Sequence, residues 1–131
     1  MEMTITKVTL AQLHLDHEIW LNALSFYRDE LKILDKYLLE IVEKNTGQGV
    51  MKEVEHFQNQ FIRQKEVLDE LTHDIREHER LVISQVKDLN PIQVEKSRFE
   101  DHLELREYFE TFTRIYAELK AEFLLFISQR L

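Results

Sequence analysis

Along three long stretches of this chain, apolar residues recur every three or four positions, and only two short segments break the rhythm. An α-helix brings positions three and four apart onto one face, so such a seam marks a helix that buries one side against neighbours. The first seam runs Leu10, Leu13, His17, Trp20, Leu24, Tyr27, Leu31, Leu34, Leu38, Ile41. The second runs Val50, Val54, Phe57, Phe61, Gln64, Leu68, Leu71, Ile75, His78, Val82, Gln85, Leu89. The third runs Arg98, His102, Leu105, Phe109, Phe112, Tyr116, Leu119, Phe123, Phe126. Helices are expected over about residues 10–45, 50–88 and 91–129.

Local signals mark the ends. Thr9 and Gln12 have the spacing of a capping box, with Val8 and Leu13 at the staple positions. Residues Thr4 to Val8 are β-branched-rich and read as extended or frayed. Asn45-Thr46-Gly47-Gln48-Gly49 supplies a turn in which glycine is expected to take the left-handed conformation that closes a helix. Asn90-Pro91 ends the second helix, and with Gln93 it starts the third. Two glycines and one proline are too few turn-formers for an all-β chain. The 131 residues suit one domain, residues 1–131. Short turns between helices of similar length predict an all-α, antiparallel up-down-up three-helix bundle with long, coiled-coil-like helices.

The formal net charge of −8 disfavours nucleic acid and anionic membranes as partners, and no basic stripe forms. No cysteine is present, so disulfides and thiolate metal sites are excluded. The first residues lack the apolar run of a signal peptide, no stretch reaches membrane-spanning length, and a cytoplasmic location is the expectation.

Each seam contains one histidine: His17, His78 and His102. If facing helices rise ~1.5 Å per residue, partners across the first turn have numbers summing to about 95, and across the second to about 180. The three histidines satisfy both relations and should converge at one level. Imidazole ligates zinc, iron, copper and nickel, and three histidines with a water form an open zinc site. Zinc or iron is the metal such a site would take, with His14 and Asp74, one turn away, as further ligands or supports. A polar layer that fixes register, a solvated layer and a pH-sensitive layer are the other readings.

The pairs Glu53/His56 and Glu70/His73 have the Glu-x-x-His spacing of di-iron bundles. Hemerythrin-like and ferritin-like proteins, however, spread their ligands over four helices, and this chain offers three. As a whole the chain resembles small bacterial helical-bundle proteins that carry no assigned function, a resemblance that implies the fold and nothing about activity.

Apolar residues in excess of one seam point to a partner. The run Phe123-Leu124-Leu125-Phe126-Ile127 covers more than one helix face, and Ile19, Ala23, Phe26, Ile33 and Tyr37 form a second line on the first helix. Phe26, Ile33, Phe123, Leu124, Phe126 and Ile127 are therefore expected at an interface with a second copy or another helical protein. No serine nucleophile in a recognisable setting and no phosphate-binding glycine loop occurs, so an enzyme is not expected. The sequence alone points first to a helical interaction or scaffold protein, and second to a metal-binding bundle centred on the three histidines.

Overall fold

A computed structural model describes residues 9–45, 47–85 and 96–130. They form three helices that pack against one another as an all-α bundle: α1 (Leu10–Lys44), α2 (Gln48–Gln85) and α3 (Lys96–Arg130). Among the described residues no helix is long and apolar enough to cross a membrane.

The capping box at the start of α1 forms as its spacing predicts. The Thr9 amide donates to Gln12 Oε1 at 2.9 Å, and the Gln12 amide donates to Thr9 Oγ1 at 3.3 Å. Val8 of the staple, the Thr4–Val8 segment, Thr46 and the Asn90-Pro91 turn with Gln93 lie outside the described residues. The α1–α2 turn corrects one expectation, since neither glycine has a positive φ. Instead, Asn45 finishes α1: its amide and its side-chain Nδ2 both donate to the Ile41 carbonyl, at 2.9 and 3.1 Å. Helix α2 then starts at Gln48 rather than Val50, and the Val50 amide donates to the Gly47 carbonyl at 3.2 Å.

The three helices contribute to two compact units. One comprises residues 9–24, 70–85 and 96–110, and the other comprises 25–44, 48–69 and 111–130. In the first unit Leu13, Trp20, Leu24, Leu71, Ile75, Val82 and Leu105 are buried together with the three seam histidines. Phe109, expected in this core, is only half-buried, and its ring stacks on Trp20 at 5.7 Å. In the second unit Leu31, Leu34, Leu68, Phe112 and Tyr116 are buried as the seams predict. Phe57, Phe61, Phe123 and Phe126 meet there with ring centroids 5.0 to 6.3 Å apart. Edge-to-face rings at this spacing add to area burial by about 0.5–1.5 kcal/mol per pair.

These contacts correct the interface expectation in part. Phe123 and Phe126 are 0% and 4% exposed and belong to the core, so they are not free to meet a partner. Phe26, Ile33 and Leu124 do face solvent, and Ile127 is half-buried. The third seam already places Phe123 and Phe126 inward, and the interface expectation erred by assigning the five-residue apolar run to a partner as a whole.

Gly49 lies in the first turn of α2 with an ordinary φ, and a methyl group added there meets nothing within 4 Å. Gly49→Ala should therefore stabilise the protein by roughly 0.5 kcal/mol through the unfolded chain. Chemical denaturation of both proteins checks this, and a destabilised variant would contradict it.

Candidate metal centre

Leu13, His17 and Trp20 lie on the inward face of α1, and Ile75, His78 and Val82 on that of α2. The same periodicity that buries the aliphatic residues therefore carries the imidazoles inward, with His102 and Leu105 doing so from α3. His17, His78 and His102 are 1%, 5% and 0% exposed. Their ring centroids stand 5.1, 5.0 and 5.6 Å apart, and one nitrogen from each lies within 4.8 Å of the others. The convergence read from the turn positions is what the structure contains. Trp20 stacks on His102 at 4.8 Å and 24°.

Every ring is tied on one side to an acceptor outside the cluster. His17 Nδ1 meets Glu79 Oε1 at 2.6 Å, His78 Nε2 meets the Arg98 carbonyl at 3.0 Å, and His102 Nε2 meets Asp16 Oδ2 at 2.9 Å. A carbonyl only accepts, so His78 donates its Nε2–H to Arg98 and keeps a lone pair on Nδ1. That Nδ1 lies 3.1 Å from His17 Nε2, the other nitrogen left over. The third leftover, His102 Nδ1, is buried with no hydrogen-bond partner. A buried polar nitrogen left unmatched costs about 1–3 kcal/mol, so this one is informative.

The surroundings set the charge of each group. Burial pushes the His78 and His102 imidazoles below the ordinary histidine range; their bonds to Arg98 and Asp16 oppose the shift without cancelling it. Burial pushes the Glu79 carboxyl up, but hydrogen bonds from His17 and His14 outweigh it and hold the group below the usual carboxylate range. Asp16 also accepts from Arg106 Nη2 at 3.3 Å.

Of the two residues expected as further ligands or supports, neither joins the cluster and one supports it from outside. His14 is exposed, with Nδ1 2.5 Å from Glu79 Oε2 and Nε2 3.3 Å from Glu18, so it buttresses the partner of His17. Its hydrogen bond to Glu79 raises its pKa. Asp74 is exposed on α2 and is not part of the cluster. Asp16 and Glu79 are the supports the sequence reading missed. Each is next in sequence to a seam histidine, but so are Glu18, Glu77 and Asp101, so sequence position alone does not single them out. No protein-family model, curated protein or solved structure matches the chain.

The lowered pKa values of His78 and His102 fix a sign. Unfolded histidine protonates near 6.5 and these folded imidazoles protonate lower, so between those values the unfolded chain holds more protons. Stability from these groups is complete above about pH 6.5 and is lost as pH falls below it. His14, with a raised pKa, contributes oppositely: its stabilisation is present below 6.5 and is lost as pH rises through the raised value. Solvent screens that contribution, because the side chain is exposed. The Glu79 contribution fades only below 4.5. In chelator, Tm should therefore drop between about pH 7.5 and about pH 5, and His78→Gln should flatten the drop. A wild-type Tm that holds level or rises over this range would contradict the assignment.

Proposed function

We propose that this protein binds a divalent transition-metal ion, zinc before others, through His17 Nε2, His78 Nδ1 and His102 Nδ1. The observation that carries this reading is the unmatched His102 Nδ1, buried in a cluster where every opposite nitrogen already has an acceptor. Metal-ligating histidines characteristically donate their other N–H to a carboxylate or carbonyl, which fixes the tautomer and aims the lone pair. In a tetrahedral zinc site neighbouring nitrogens stand about 3.3 Å apart, given Zn–N bonds of about 2.0–2.1 Å. His17 Nε2 and His78 Nδ1 are already near that spacing at 3.1 Å.

Charge supports a dication. Three neutral imidazoles bring none, while Asp16 and Glu79 place two carboxylates directly behind them. All-nitrogen donors favour zinc or copper over iron(II), whose common open sites include a ligating carboxylate. Among the described residues no further acid or histidine joins the cluster, so the fourth position falls to an external donor such as water. Near-complete burial of the three rings supports an ion that is held rather than offered to a substrate.

Calorimetry with Zn²⁺ on the full chain should give one ion per chain, with binding that weakens as pH falls because protons compete for the imidazole lone pairs. At a hundredfold excess over Kd, zinc should stabilise the fold by about 2.7 kcal/mol. Asp16→Asn and Glu79→Gln should each weaken binding by roughly 10–100-fold. A Tm indifferent to zinc, or His102→Gln binding as well as wild type, would defeat the reading.

Self-association is a second reading, supported by Phe26 and Ile33, which are exposed seven residues apart on α1. A specific dimer should bury at least ~1,000 Å². Sedimentation should then show a dimer in wild type and a monomer in Phe26→Glu/Ile33→Glu; a wild-type monomer at tens of micromolar would end it.

A further inference from the structure

Resting on the metal reading above, we propose that the ion reaches the imidazoles through a pocket between α1 and α3. Asp16 is the carboxylate that receives it, and His102 is the ligand that closes behind it. The pocket has a volume of about 360 Å³, and its lining includes Gln12, Leu15, Asp16, Phe99, His102 and Arg106. His102 is the one ligand that lines it; His17 and His78 do not.

The outer partners of the three rings differ in how readily they give way. His78 is tied to a backbone carbonyl, which moves only with its helix. His17 is tied to Glu79, which His14 grips from the other side at 2.5 Å. His102 is tied to Asp16, whose side chain is 31% exposed and lines the pocket. Among the described residues, the further hold on Asp16 is the longer 3.3 Å bond from Arg106, itself 43% exposed.

The His102 ring spans from Asp16 to the cluster, so turning it aside joins pocket and site. A carboxylate is a good first ligand for a hydrated dication, because it exchanges for water without requiring the ion to shed its whole shell at once. Arg106 sets the threshold. Its guanidinium shares Asp16 Oδ2 with His102, and its charge opposes the approach of a cation.

The route predicts rates separately from affinity. Leu15 is 55% exposed and lines the pocket, whereas no hydrogen bond or ring contact ties it to the imidazoles. Leu15→Trp should narrow the entrance and slow zinc uptake and release by the same factor, on the order of tenfold, with Kd unchanged. Arg106→Ala should speed uptake severalfold. Ile83→Trp, on an exposed α2 position outside the pocket, should change neither rate. The measurement is stopped-flow exchange of Zn²⁺ between the full chain and a chromophoric chelator, alongside equilibrium titration. Wild-type rates in both Leu15→Trp and Arg106→Ala would overturn the route, as would equal slowing in Ile83→Trp. In either case zinc binding at equilibrium leaves the metal reading standing. Failure of wild type to bind zinc at equilibrium would remove both.

Discussion

An imidazole has two ring nitrogens, and the apolar seam of a helix offers a partner to neither. Burying three such rings at one level therefore imposes conditions that aliphatic residues would not. Glu79 must come to His17, the Arg98 carbonyl to His78, and Asp16 to His102, and these acceptors lie on α2, α3 and α1 in turn. Each helix thus supplies an imidazole to the layer and an acceptor to the imidazole of another helix. Sliding one helix by a residue would strand several buried nitrogens at once, at about 1–3 kcal/mol each. Leucines tolerate such a slip far better, which is why polar groups in helical bundles so often fix alignment.

The two units meet the demand for burial by different means. The unit built from residues 25–44, 48–69 and 111–130 relies on aromatic area, with four phenylalanines in mutual contact and Tyr27 set against Phe112 and Tyr116. Its Glu30 cluster is well matched, since the Tyr116 hydroxyl and the Lys120 ammonium both donate to Glu30 at 2.6 and 2.9 Å, although the buried Gln64 Oε1 has no partner. The unit built from residues 9–24, 70–85 and 96–110 gives part of its interior to ionisable rings. It recovers them through hydrogen bonds that reach its surface acids. A buried polar network is favourable only when every member is satisfied, and His102 Nδ1 is the member that a bound ion would satisfy.

Much of this was legible in the sequence because helical periodicity and short connections act over the whole chain. The seams gave the inward residues almost position by position, and the turn-centred pairing brought His17, His78 and His102 to one level from spacing alone. What stayed hidden depended on side-chain direction. Periodicity could not say that Phe109, a seam residue, stays only half-buried. Nor could it say that His14 would grip Glu79 instead of joining the cluster. Asp16 and Glu79 flank the seam, where a charged residue ordinarily reads as solvated surface, and only the geometry of the neighbouring helix turns them toward an imidazole. The glycines in the first turn misled for a related reason. Their freedom to adopt a positive φ is real, but Asn45 satisfies the Ile41 carbonyl first.

Trp20 is the only tryptophan in the chain, and its indole lies flat against His102 within the layer. Indole emission responds to the charge of whatever covers its face, and a cationic ring in that position interacts with the π cloud far more strongly than a neutral one. The protein thereby carries its own optical reporter, unlabelled and placed one ring away from the proposed ligand set. Changes of proton or ion occupancy in the layer become visible as light from a single, assigned fluorophore.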